Sequence, residues 1–153
     1  MINQQYPHSS LQSSQQKTKT EVTENVVNLY LEAVRSNIDP ASIASLFSKS
    51  VDFYIPGNTE DVPWVGRRKG RVGVTNFIRD LRTKIEPIDF SVRSTLVDDE
   101  QAVALGSLKS RVNDTGQIIE SEFAIEFEVR NGLIVRYRLY EDSFAVAQAV
   151  NVN

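Results

Sequence analysis

Hydrophobic positions recur at helical intervals through the first half of the chain and alternate through the second. Val22, Val26, Leu29, Tyr30 and Ala33 are spaced three or four apart and predict an amphipathic helix. Thr18 and Glu21 ahead of them have the spacing of a capping box, which satisfies free backbone N–H groups at a helix start. Asp39-Pro40 predicts a second start, a polar cap before a proline that loses no hydrogen bond in the first turn. Ile43, Leu46 and Phe47 form the apolar side of that short helix. Val51, Phe53 and Ile55 alternate with Asp52 and Tyr54, predicting a short strand that Pro56-Gly57 stops. Residues Pro56 to Lys69 predict a loop that holds Trp64. Val74, Phe77, Ile78, Leu81 and Ile85 then restore the helical period, and Pro87 closes this third helix.

From Ile88 the period is two. Ile88–Val97 and Ala102–Val112 predict strands joined by the Asp98-Asp99-Glu100 turn. Asn113-Asp114-Thr115-Gly116 leads to a strand over Ile118–Val129, and Asn131-Gly132 to a last one over Leu133–Glu141. Asp142-Ser143 caps a short final helix, Phe144–Val150. Helices first and a strand meander after them predict an α+β domain: a curved antiparallel sheet packed against three N-terminal helices.

The alternation also sorts faces. Ile119, Phe123, Ile125, Phe127 and Val129 share one side of their strand, and Glu120, Glu122, Glu126 and Glu128 the other. On the next strand Val135, Tyr137 and Leu139 oppose Arg136, Arg138 and Tyr140. A two-residue Asn-Gly loop sets Phe127 opposite Arg136, mixing core with charge. A three-residue loop, Arg130-Asn131-Gly132, sets Phe127 opposite Val135 and Glu126 opposite Arg136, and is the register expected. The charged face then reads as a solvated outer surface or a self-complementary dimer surface. The apolar face, with Phe53, Ile55, Phe90 and Val92, predicts a cone between sheet and helices.

Composition narrows the chemistry. The chain has 153 residues, no cysteine, one histidine and a net charge of −3. Zero cysteines exclude disulfides, thiolate metal sites and a cysteine nucleophile. The acidic balance argues against a nucleic-acid surface. Residues 1–17, rich in Gln and Ser, predict a solvated tail that carries His8, leaving 18–153 as the domain. No apolar run reaches the length of a membrane span, and no signal-peptide pattern is present, so a cytoplasmic protein is expected.

Several short stretches carry a family resemblance. They are Leu46-Phe47 with Val51-Asp52-Phe53 and Pro56-Gly57, then Pro63-Trp64-Val65-Gly66 and Gly70 before the third helix. Phe127-Glu128-Val129, Asn131-Gly132-Leu133-Ile134 and Tyr140-Glu141-Asp142 complete the set. In this order they resemble the nuclear transport factor 2-like superfamily, in its SnoaL-like and ketosteroid-isomerase-like members, over roughly residues 22–150. The resemblance implies a cystatin-like cone, often dimeric, whose cavity accepts a small hydrophobic molecule without a cofactor or a metal. It also implies residues that this chain replaces. The isomerases place an aspartate base before the first strand's proline, where Ile55 stands. Epoxide-hydrolase-like members use Asp–Arg–Asp where Ser107, Lys109 and Leu139 stand, so epoxide hydrolysis is not expected. Cyclases and dehydratases of this type use a pocket histidine, and none follows His8. Tyr30 matches the isomerases' oxyanion tyrosine, with no acid evident beside it.

The candidate site that follows is an apolar pocket of Phe53, Ile55, Trp64, Phe90, Ser107, Phe123 and Leu139. Asp142 and Tyr137 are the candidate catalytic groups for proton transfer of the isomerase or cyclase kind. Each has a structural alternative: Asp142 as a helix cap, Tyr137 as a core tyrosine. Trp64 reads as a lid or a loop anchor, and Arg67, Arg68, Lys69 and Arg71 as a solvated basic turn. The rival reading of the whole is a non-catalytic module that binds a ligand or a protein partner.

Overall fold

Thr18 starts the first helix as its spacing predicts, its side-chain oxygen accepting the Glu21 N–H at 3.1 Å. A computed structural model describes residues 17–151; the expected tail and His8 lie outside the described residues, apart from Lys17. Helix α1 spans Lys19–Arg35 and buries Val26, Val27, Tyr30 and Leu31. Leu29, expected on that face, is 57% exposed, and Val27 fills the inner position. Helix α2, Pro40–Ala44, is capped by Asp39, which accepts the Ser42 N–H at 3.2 Å.

Leu46 and Phe47 were expected on this helix, but the helix stops before them. The Leu46 carbonyl accepts the Ile134 N–H at 2.9 Å, so the sheet ladder claims the chain first. Strand β1 therefore runs Phe47–Ile55. The expected loop to Lys69 ends in a short strand β2, Gly66–Lys69, which pairs antiparallel with β1. Helix α3 follows over Gly70–Lys84. Pro87 does not close it by ending the ordered run; it sits inside β3, Ile85–Asp98. Because β3 is a sheet edge, the missing N–H breaks no inner ladder.

Strands β4 (Gln101–Val112), β5 (Ile118–Arg130) and β6 (Leu133–Tyr140) complete a six-stranded sheet in the order β2-β1-β6-β5-β4-β3. All neighbours are antiparallel except β1 and β6, which run parallel. The architecture is the expected α+β cone, with a mixed sheet where an antiparallel one was read and with six strands where five were. Helix α4, Ser143–Val150, is the last element. No helix among the described residues is long and apolar enough to cross a membrane.

The β5–β6 hairpin corrects the expected register. Asn131 and Gly132 both have positive φ, 51° and 75°, and form a two-residue turn with Arg130 opposite Leu133. Register shifts between Glu128 and Val129, whose partners are Arg136 and Ile134, so Val135 is the extra residue of a bulge. That bulge reconciles the tight turn with the buried face. Phe127 comes opposite Tyr137 and not the expected Val135, Glu126 opposite Arg138 and not Arg136, and core still meets core.

The sheet curves where Gly106 of β4 passes β3. A Cβ at Gly106 meets the Ser91 carbonyl oxygen at 2.0 Å and the Phe123 ring at 2.7 Å. The neighbouring register shift between Val92 and Ser94 marks the bend. Inside the curve an aromatic cluster surrounds Tyr137. Its ring stacks on Phe53 at 4.5 Å, and Tyr30 and Phe127 meet it edge-on at 5.4 and 5.5 Å.

On the outer face Asp52 gathers three arginines, Arg138 at 2.9 Å and Arg136 and Arg67 at 3.4 Å. Arg136 also binds Glu126 at 3.0 Å, diagonally across the bulged register. The Arg138 side chain is 6% exposed and donates to the Asp52 and Tyr137 carbonyls as well, so its charge is fully partnered. The three guanidinium groups, with Arg138's hydrogen bond foremost, hold the Asp52 carboxyl below the usual aspartate range.

Candidate functional site

The concave side of the sheet and helices α1 and α3 enclose a cavity of about 620 Å³. Its interior wall is buried and mostly apolar, with Trp64, Phe77, Ile78, Ile119, Ile125 and Val146 among its members. Its mouth lies where exposed residues join the lining: Arg35, Ser36 and Asn37 at the end of α1, and Pro87, Ile88 and Asp89 on β3. The volume lies within the range of small-molecule pockets.

Four polar side chains reach the interior: Tyr30, Ser110, Tyr137 and Glu141. The Tyr30 hydroxyl donates to the Tyr137 hydroxyl at 2.8 Å. Burial pushes both phenols above the usual tyrosine range, so both keep their protons. Because Tyr137 accepts from Tyr30, its own proton remains available to a second acceptor. Glu141 sits one residue beyond β6. Burial, and then the neighbouring Asp142 charge, push its carboxyl up to about 7.

The expected residues divide. Trp64, Phe90, Tyr137 and Leu139 line the cavity. Trp64 is 5% exposed and belongs to the wall; its loop is tied down by Arg68, which donates to the Pro63 carbonyl at 2.8 Å. Phe123 supports the lining from behind, stacked on Phe90 at 4.8 Å. Phe53 and Ile55 are buried in the core beside the cavity, not in its lining. Ser107 is exposed on the outer face with Lys109, because Ala102, Ala104 and Ser110 take the inward phase of β4. The lysine and arginine at 109 and 111 were the readable sign of that phase.

Asp142 also lies outside the cavity. It is exposed, and its carboxylate accepts the Ala145 N–H at 3.0 Å as the cap of α4. The acid on the interior lining is its neighbour Glu141, which is not among the expected site residues. Its signal was present: Tyr137, Leu139 and Glu141 continue one inward phase. Tyr30, Tyr137 and Glu141 thus line one cavity. Among the described residues no group of three histidine, cysteine or acidic side chains is placed to hold a metal ion.

Fold and cavity together define a small α+β cone with a ligand-sized interior. The chain belongs to the SnoaL-like domain family, which matches residues 27–137. A comparison with curated proteins finds no match. Among solved structures, a nuclear transport factor 2-like protein from Burkholderia xenovorans is similar at a TM-score of 0.78 and 20% identity. The match covers 86% of this chain and 98% of that one. TerC, crystallised with polyporic acid, is similar at a TM-score of 0.72 and 16% identity, over 86% and 99% of the two chains. A protein of ketosteroid-isomerase-like fold from Catenulispora acidiphila, in complex with trimethylamine, reaches 0.68 at 11% identity, over 84% and 93%. At these identities the likeness is one of fold.

Proposed function

We propose that the protein binds a small, mainly apolar ketone in the cone and transfers a proton on it without a cofactor, as an isomerase or cyclase does. The carrying observation is that Glu141, with its carboxyl at about 7, shares the cavity with the paired Tyr30 and Tyr137 hydroxyls. An acid that titrates near neutral pH both accepts and returns a proton efficiently. In this reading the Glu141 carboxylate takes a proton from carbon next to the carbonyl. The electron pair moves onto the carbonyl oxygen, and the Tyr137 hydroxyl, fixed by Tyr30, donates a hydrogen bond to the resulting enolate. Reprotonation at a second carbon then completes an isomerisation. The base role passes from Asp142 to Glu141, while Tyr137 keeps its expected place.

The test is hydrogen exchange at carbon. With β-tetralone in D2O, the protein is expected to catalyse deuterium incorporation beside the carbonyl, with a rate rising through about pH 7. Glu141→Gln is expected to abolish the exchange and Asp142→Asn to preserve it. Bound ketone with no exchange would leave the non-catalytic binding module as the better reading. The outer face supports a second element of the proposal, a homodimer formed through β5, β6 and β1. Its Asp52, Arg136 and Glu126 array carries both signs of charge on one surface, as a self-complementary contact requires.

A further inference from the structure

The mouth of the cavity differs in charge from its interior. Arg35, at the C-terminal end of α1, is exposed and lies in the cavity lining. Its guanidinium carbon stands 5.5 Å from the centre of the Phe90 ring, which is itself a lining residue. Arg35 has no ion-pair partner among the described residues. Arg82, also in the lining, donates to the Ser36 and Ile38 carbonyls, two neutral acceptors that leave its charge uncompensated. The one acid on this rim, Asp89, accepts from the Ser91 hydroxyl at 2.8 Å. Two cations and one anion thus face an apolar chamber, and the rim carries a net positive charge.

Resting on the reading of the cone as a ligand site, we infer that its ligand is an amphipathic acid. The apolar body fills the chamber, and a single carboxylate-class group remains at the mouth against Arg35. The two arginines differ in freedom. Arg82 holds the α1–α2 connection through its two carbonyl contacts, so its side chain is committed to structure. Arg35 rests only on an aromatic face, which leaves its planar N–H fork free for a bidentate anion. An acid bound this way needs no desolvation of its charge, because the rim is open to water, while its body loses only apolar contact with solvent. The orientation also presents the buried end of the ligand to Tyr137 and Glu141.

The test uses two probes with one ring system, anilinonaphthalene sulfonate and N-phenylnaphthylamine, which lacks the sulfonate. The native protein is expected to bind the sulfonate more tightly by roughly fivefold at low salt, the scale of an exposed ion pair. That preference is expected to vanish in Arg35→Gln, to weaken without vanishing in Arg35→Lys and to shrink with added salt, while N-phenylnaphthylamine binding stays constant throughout. Leu108→Trp, which fills the chamber, is expected to remove both probes. Equal affinities in the native protein, or a preference that persists in Arg35→Gln, would overturn the acid while leaving the apolar site standing. Failure of both probes to bind, or binding untouched by Leu108→Trp, would overturn the ligand site itself.

Discussion

Glu141 shows how one residue's position at the end of a strand sets its chemistry. Its neighbour Asp142 is solvated and spends its carboxylate on a helix cap, whereas Glu141 faces the chamber. The folded protein holds the Glu141 proton up to about pH 7, against 4.5 for an ordinary glutamate. Between those values the folded state binds more protons than the unfolded chain, so stability falls as pH rises through this window and levels off above it. The difference is on the order of 3 kcal/mol. Glu141→Gln is therefore expected to be more stable than the native protein at pH 8, with the gain disappearing at pH 5, as read by urea unfolding. Asp52 acts with the opposite sign and at lower pH. Its depressed carboxyl gives stability above the usual aspartate range that is lost only on further acidification. A native-like pH dependence in Glu141→Gln would show that Glu141 is solvated.

At the scale of elements, two local devices shape the sheet. The Val135 bulge brings Tyr137 opposite Phe127 and carries the inward phase through Leu139 to Glu141. Gly106 lets β3 and Phe123 close over β4, forming the far wall of the cone. Gly106→Ala places a methyl group against a backbone carbonyl that cannot rotate away. It is expected to cost roughly 3 kcal/mol, seen as a lower urea midpoint. A loss under about 1 kcal/mol would mean that β3 shifts freely at its bend. The same two devices explain why element types were legible in the sequence and their pairing was not. Periods of 3.6 and two belong to each segment alone. A bulge is a compromise between two segments, here between the turn preference of Asn131-Gly132 and the burial of Phe127.

For the whole molecule, the sheet divides two environments. The concave face is apolar and looks onto Tyr30, Tyr137 and Glu141, and the convex face carries the charges of Asp52, Arg136, Glu126 and Arg67. If the convex face joins two copies, its opposite charges pair across the contact while still open to water, so the dimer weakens with salt. Sedimentation at tens of micromolar protein is expected to give a dimer at low ionic strength and a larger monomer fraction in Asp52→Asn. A monomer at both low and high ionic strength would remove the dimer from the proposal.

The sequence by itself determined the α+β class, the helix caps at Thr18 and Asp39, and the apolar phase of β5. Each depends on side chains within a few residues of one another, where spacing fixes geometry. It also limited the chemistry, since no cysteine is present and the single histidine precedes the domain. Only the tertiary structure decided that β1 runs parallel to β6, that Val135 bulges, and that Ser107 faces out while Ser110 faces in. It alone brought Tyr30, Tyr137 and Glu141 to one chamber and Arg35 to its mouth. Those relations include that of the two bonded tyrosines, 107 positions apart. They are fixed by which faces exclude water together, a property of the packed whole and not of any one segment.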